Sequence, residues 1–138
     1  MNEKTKVLIV DDEEVVRLSH LRSLQAANCN AKVAEDGLKA IQVMEQQEFD
    51  VILLDIRMPN LDGMEVLKTI KSRWPDSEVV VITGYPTIEA AKEAVRLGAQ
   101  NYLAKPVGPD EVIKAANDAM NQKRWGLRSE HEKSPTQH

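Results

Sequence analysis

The stretch Val51-Ile-Leu-Leu-Asp55 decides the fold. Four consecutive apolar residues closed by an acid suit a strand buried on both faces of a parallel sheet, because a strand with one wet face alternates apolar and polar residues instead. The same signature recurs on either side of it. Lys6–Val10 is followed by Asp11-Asp12, and Val79–Ile82 is followed by Thr83. Weaker runs lie at Ala31–Glu35 and Asn101–Ala104, the second followed by Lys105. Helix-like segments separate the runs. Residues 13–27 place Val15, Leu18, Leu21 and Leu24 at i, i+3 spacing, and 37–47 do the same with Leu38, Ile41 and Met44. Residues 62–73 carry Val66, Leu67 and Ile70, followed by Trp74, and 87–97 offer Ile88, Ala90, Ala91, Ala94 and Val95 as an expected core face. Boundary signals agree: Asp62-x-x-Glu65 reads as a cap, Pro75 as a stop, Gly98 as a helix C-terminal turn and Pro109 as a first helical position. Five strands alternating with five helices predict an α/β protein, a three-layer, doubly wound, five-stranded parallel sheet with right-handed crossovers.

Composition narrows the function. At 138 residues the chain is the size of one domain, and 42% hydrophobic with 29% charged residues is ordinary for a folded protein. No apolar run exceeds four residues, whereas a membrane helix needs roughly 20 and a signal peptide roughly 7–15. The lone cysteine, Cys29, cannot form an internal disulfide, which fits a reducing compartment; the expected localisation is cytoplasmic. With 18 basic and 22 acidic residues, the net charge of −4 offers no electrostatic footprint for direct nucleic-acid binding.

The residues that end the strands carry the chemistry. In an open α/β sheet the carboxyl ends of the strands line the ligand crevice where strand order reverses. If the first and third strands are neighbours, Asp11, Asp12 and Asp55 converge there, with Thr83 and Lys105 beside them. Three like charges at close range repel and are costly to desolvate unless a cation neutralises them. An all-oxygen donor set with an open, hydrated sphere suits Mg²⁺, or Mn²⁺ in its place, rather than zinc. A carboxylate attacks few electrophiles, but a phosphoryl group masked by Mg²⁺ and a lysine is one of them. The set therefore predicts an aspartyl phosphate. Each residue alone has a plain alternative: Asp55 or the pair Asp11-Asp12 as helix caps, Thr83 as a turn residue, Lys105 as a surface lysine. Their occurrence together at successive strand ends argues against that.

Asp11-Asp12, the block Val51-Ile-Leu-Leu-Asp55-Ile-Arg-Met-Pro59-Asn-Leu-Asp62-Gly63, Thr83-Gly84 and Lys105-Pro106 resemble the receiver domain of bacterial two-component response regulators. Thr83-Gly-Tyr-Pro-Thr87 with Gly98-Ala-Gln-Asn-Tyr102 is most similar to the receivers of enhancer-binding transcription regulators. The resemblance covers residues 4–122 and implies a flavodoxin-like strand order 2-1-3-4-5. It implies Asp55 as the phospho-acceptor, Asp12 and Asp55 as direct Mg²⁺ ligands, Asp11 acting through water, and the Arg57 carbonyl as a backbone ligand. It further implies that Lys105 pairs with the phosphoryl group, that Thr83 and Tyr102 form a switch pair, and that the Lys105-Pro106 bond is cis. A sensor histidine kinase is the implied phosphoryl donor, and the chain is expected to be a phospho-acceptor that catalyses its own phosphoryl transfer and dephosphorylation rather than an enzyme with a separate substrate.

Lys105 is expected to have a partner only when phosphate is present. The helix 87–97, the strand 101–104 and the helix from 109 are expected to form one face bearing Lys92, Glu93, Arg96, Asp110, Glu111, Lys114 and Asp118, on which a homodimer could pair opposite charges reciprocally. Residues 123–138 read as a C-terminal tail or linker stub, with any output domain or partner outside this chain. Two competing functions are a phosphatase with an aspartyl-phosphate intermediate and an unphosphorylated scaffold. The first typically has Asp-x-Asp after its first strand, where this chain has Asp11-Asp12-Glu13; the second is disfavoured by the intact acceptor, lysine and threonine. A dinucleotide site is excluded because no Gly-x-Gly-x-x-Gly follows the first strand.

Overall fold

Side chains of a strand point alternately to its two faces, so a run that is apolar at every position needs cover on both. In the computed structural model, which describes residues 4–58 and 61–133, that cover is supplied by helices on each side of one parallel sheet. Its strands are β1 (Lys6–Val10), β2 (Asn30–Ala34), β3 (Val51–Asp55), β4 (Glu78–Thr83) and β5 (Asn101–Ala104), arranged in the order β2-β1-β3-β4-β5. The helices are α1 (Glu14–Ala26), α2 (Gly37–Gln46), α3 (Gly63–Arg73), α4 (Ile88–Arg96) and α5 (Pro109–Lys133). The predicted class and strand order hold, and apart from the C-terminal end of α5 the expected elements end within a residue of the observed ones.

The alternation is visible in the two cores. Val7, Ile9, Val51, Leu53, Val80 and Ile82 pack with Leu24 of α1 and with Val112, Ala115, Ala116 and Ala119 of α5. Leu8, Val10, Ile52, Leu54, Val79 and Val81 face the other way, against Ala40 and Met44 of α2, Val66, Leu67 and Ile70 of α3, and Ala94 of α4. Among the described residues no helix is long and apolar enough to cross a membrane.

The i, i+3 stripes need correction. Val15 is 80% exposed and Leu38 is 62% exposed, although both were assigned to core stripes. With about 100° per residue, each i+3 step drifts about 60° around the helix, so Val15 and Leu24 lie on opposite sides of α1. The buried positions of α1 are His20 and Leu24. In α4 the inward residue is Ala94, and Ile88 and Val95 are exposed at 72% and 63%, not core-facing as expected. Other boundary signals agree with the structure. The Asp62 carboxylate accepts the Met64 N–H at 2.9 Å as the cap of α3, α3 ends at Arg73 just before Pro75, Gly98 adopts φ +101°, and α5 opens on Pro109.

Two details position the crevice. A two-residue antiparallel ladder pairs Arg57 with Asp62 and Met58 with Leu61, folding the segment after Asp55 back toward α3; Pro59 and Asn60 of the quoted block lie outside the described residues. Gly63 is buried, and a Cβ there would overlap the Ile56 backbone, so only glycine lets α3 start this close to the end of β3. At the opposite end of the sheet, Asp50 accepts the Lys6 N–H at 2.8 Å and pairs with Lys123 at 2.6 Å, tying α5 to the strand starts. The helix then continues to Lys133, through most of the segment read as a tail; residues 134–138 of that segment lie outside the described residues.

Candidate functional site

Parallel register brings the strand ends together. Val10 lies opposite Leu54, so the residues that follow, Asp11 and Asp55, emerge side by side between the central strands. Thr83 lies opposite Ala104, so Lys105 emerges next to them, and its N–H donates to the Thr83 carbonyl at 2.8 Å. The carboxylates of Asp11, Asp12 and Asp55 offer oxygens that all lie within 4.8 Å of one another. Asp11 and Asp55 are each 3% exposed, while Asp12 is exposed.

The two buried acids are held in the same way. One oxygen of each accepts a backbone N–H two residues on: Asp11 Oδ1 from Glu13 at 2.9 Å, and Asp55 Oδ1 from Arg57 at 2.8 Å. The other oxygen of each faces the Lys105 ammonium, Asp11 Oδ2 at 2.8 Å and Asp55 Oδ2 at 3.0 Å. Glu13 adds a longer pairing to the same ammonium at 3.4 Å. The expectation that Lys105 lacks a partner without phosphate is therefore wrong. Two desolvated carboxylates a few ångströms apart need a cation, and the nearest ammonium supplies it.

Electrostatics follow from this packing. Burial pushes the Asp55 carboxyl above its ordinary value, and Asp11's charge adds to the rise, while the Arg57 N–H and Lys105 oppose it. Burial by itself would lower the Lys105 ammonium, but its bonds to Asp11 and Asp55 outweigh that and hold it well above the ordinary lysine value. Thr83 is fully buried, and its hydroxyl accepts the Tyr85 N–H at 3.1 Å. The Tyr102 hydroxyl accepts the Thr87 N–H at 3.4 Å. Both members of the expected switch pair thus hold one segment, residues 84–87, at its two ends. The Lys105-Pro106 peptide is cis.

The donor set fits a hard divalent cation: three clustered carboxylates, all oxygen, one of them open to solvent. It does not fit a site built for zinc, since no histidine or cysteine joins the cluster among the described residues.

Three side-chain contributions are not signalled in the sequence, where Arg57 enters only through its carbonyl. Glu13 was read only as the start of a helix, though it is a third consecutive acid beside the pair. The Arg57 guanidinium lies 4.2 Å from the centroid of the Tyr85 ring, joining the segments that follow β3 and β4. Each of the two stands two residues after a site residue, which was the available signal. His20, 6% exposed, is buried on the inward side of α1, where no spacing in the sequence marks it.

The family model for the response regulator receiver domain matches residues 7–117. The transcriptional regulatory protein ZraR of Klebsiella oxytoca is 35% identical over 126 residues, which cover 88% of this chain and 28% of that protein. The chain thus spans about a quarter of the length of that relative. The crystal structure of NtrX from Brucella abortus matches with a TM-score of 0.87 at 28% identity, over 94% of this chain and 29% of that one. The solution structure of the beryllofluoride-activated NtrC4 receiver domain dimer matches with a TM-score of 0.81 at 32% identity, over 86% of this chain and 98% of that one.

The charge balance has opposite consequences for two substitutions. Because the folded-state pKa of Asp55 is raised, its ionised form weakens the fold above that pKa, and the cost is relieved as pH falls through it. Asp55→Asn in chelator is expected to raise Tm by about 2–5 °C at pH 7, with the gain shrinking toward pH 4. Lys105 contributes stability throughout the range below its ordinary pKa. Lys105→Ala is expected to cost about 1–3 kcal/mol at pH 7, less in acid as its partners protonate. Thermal and urea melts against pH read both signs, and a melting temperature unmoved by either variant would contradict the assignment.

Proposed function

The chain belongs to the response regulator receiver domain family of two-component systems, and on that premise we propose that it is a phosphorylation-dependent signalling switch whose acceptor is Asp55. The observation that carries the reading is the arrangement of Asp55, which is buried, ionically paired with Lys105 at 3.0 Å and flanked by Asp11, Asp12 and Thr83. Like charges held so close, with a raised carboxyl pKa, are more plausible as a reaction site than as a structural device.

A carboxylate oxygen of Asp55 attacks phosphorus on the phosphohistidine of a sensor histidine kinase. The O–P bond forms, the P–N bond breaks, and the departing imidazole nitrogen takes a proton from water. Lys105 leaves its carboxylate partners for a phosphoryl oxygen. Asp12 and Asp55 directly, Asp11 through water and Arg57 through its carbonyl would hold Mg²⁺, or Mn²⁺, which when bound masks phosphoryl charge against the carboxylates. The Thr83 hydroxyl lets go of the Tyr85 N–H and donates to another phosphoryl oxygen. Tyr102 then moves into the space vacated, leaving the Thr87 N–H. Residues 84–87 lose both tethers together, which is how a local charge change reaches α4. Return to the resting state is hydrolysis of the aspartyl phosphate within the same site. The chain is in this reading a cytoplasmic phospho-acceptor, not an enzyme acting on a separate substrate.

The output surface is the α4–β5–α5 face. The reciprocal charge pairing expected there needs revision, because Arg96 pairs with Glu93 in α4 and Lys114 with Asp118 in α5. Exposed pairs of this kind contribute roughly 0–1 kcal/mol, so exchanging them between protomers gains little. Ile88 and Val95, exposed on α4, supply the apolar contact instead. A homodimer over this face, transmitting its state to an output domain or partner of transcription-regulator type, is the form of output we favour; the solved NtrC4 receiver is described as a dimer.

Two experiments test the proposal. With Mg²⁺ and acetyl phosphate, mass spectrometry should find one added phosphoryl group on the wild type and none on Asp55→Asn; equal labelling of both would remove Asp55 as acceptor. In sedimentation with beryllofluoride and Mg²⁺, the wild type should shift toward a dimer, Ile88→Glu should abolish the shift, and Arg96→Glu should leave most of it. A mass unchanged by beryllofluoride, or a dimer indifferent to Ile88→Glu, would place the output elsewhere.

A further inference from the structure

We propose that Arg17 is a positioning residue for the acid cluster: from the start of α1 its guanidinium holds the Asp11–Asp12 peptide by the Asp11 carbonyl and thereby aims Asp12. The inference deepens the proposed function and rests on its reading of Asp12 as a direct ligand of the divalent cation.

Asp12 is the least supported member of the cluster. Lys105 pairs with Asp11, Glu13 and Asp55 but not with Asp12, whose side chain is exposed. Its carboxylate is therefore aimed by the backbone that carries it. That backbone enters a helix without a side-chain cap. Asp36, Asp62 and Thr87 accept helix N–H groups as caps of α2, α3 and α4, whereas Glu13 makes no such bond for α1. The turn Asp11-Asp12-Glu13 has one internal tie, from the Glu13 N–H to Asp11 Oδ1 at 2.9 Å. That tie uses a carboxylate of the cluster itself.

Arg17 supplies a tie that leaves every carboxylate free. Its Nη1 donates to the Asp11 carbonyl at 2.7 Å, while its backbone N–H donates to the Glu13 carbonyl at 3.0 Å. One residue thus grips both ends of the acidic turn. The Asp11 carbonyl belongs to the peptide plane that leads into Asp12, so fixing this oxygen fixes the direction in which the chain leaves β1. The Asp11 N–H is bound to the Ala34 carbonyl at 3.2 Å, which holds the other side of the residue to β2. Arg17 is half-buried, and its bond to the carbonyl is charge-assisted, hence stronger than a neutral one. Its role differs from that of Lys105. The lysine neutralises the carboxylates by occupying their oxygens, so a cation binding there must share them with it. Arg17 offsets charge from the backbone side and stays in place when they are filled.

The test uses the full chain, with Mn²⁺ as the probe and free Mn²⁺ counted by electron paramagnetic resonance. Coulomb's law and positioning predict opposite signs. Deleting a positive charge beside three acids should tighten cation binding, whereas losing the aim of Asp12 should weaken it. Arg17→Met keeps the aliphatic stem without charge or donor and is expected to weaken Mn²⁺ binding about threefold or more. Arg17→Lys keeps a cationic donor and should lie closer to wild type. In an Asp12→Ala background Arg17→Met should produce no further weakening, because the residue through which it acts is gone. The second readout needs no metal. In chelator, exchange of the Glu13 amide hydrogen should quicken about fivefold or more in Arg17→Met, while the Leu24 amide deeper in α1 keeps its rate. Unchanged or tighter Mn²⁺ binding by Arg17→Met, or weakening that persists without Asp12, overturns the proposal. So does a Glu13 amide that exchanges at the wild-type rate. A wild type that binds no Mn²⁺ contradicts the functional reading instead, and Glu13 exchange then decides whether Arg17 holds the turn.

Discussion

Three carboxylates crowded around one ammonium at the carboxyl edge of the sheet are the constraint on which the rest of this structure depends. Asp11 and Asp55 are almost wholly out of water, and each spends one oxygen on a backbone N–H and the other on Lys105. The arrangement is electrically balanced only while Lys105 stays in place. In the proposed function, a cation entering the cluster or a phosphoryl group on Asp55 would change that balance and redirect the ammonium. The switch proposed above is then a local electrostatic change with two states, transmitted through the fold around it.

The sheet provides the rigidity this needs. Every side chain of β3 is buried, and its neighbours β1 and β4 are apolar on both faces, so the backbone that aims Asp11, Asp55 and Thr83 is the most deeply packed part of the chain. The connecting segments are held more lightly. Residues 84–87 are attached through the Thr83 and Tyr102 hydroxyls and through the stacking of Tyr85 on Arg57. The segment 105–108 is tied by the Lys105 N–H to the Thr83 carbonyl at one end and by the Gly108 carbonyl to the Val112 N–H at the other. Rigid strands thus present the acids while more lightly tied loops carry the groups that the proposed switch would move.

Most of this was legible in the residues. Apolar runs such as Val51–Leu54 can be satisfied only between two layers of helices, and the polar residue ending each run is where chemistry has to be, so fold and reactive set follow from the same pattern. What escaped depends on rotation and on distance through space. The i, i+3 stripe of α1 looked continuous, yet its drift leaves Val15 outside and turns His20 inward. No sequence spacing relates Arg57 to Tyr85, because a crossover brings them together. The pairing of Lys105 was misjudged for a different reason. Burial, which the sequence does not display, desolvates Asp11 and Asp55, and they demand a counter-charge before any phosphoryl group arrives.

The central claim is that the carboxylate cluster takes up a divalent cation beside Lys105, and the most direct measurement is melting temperature against Mg²⁺ concentration for the wild type and for Asp12→Ala. A ligand that binds only the folded state stabilises it by RT ln(1 + [L]/Kd). The wild type should gain Tm progressively as Mg²⁺ rises, and Asp12→Ala should need about tenfold more Mg²⁺ for the same gain, corresponding to roughly 1.4 kcal/mol. A wild-type Tm indifferent to Mg²⁺, or identical curves for the two proteins, would contradict it.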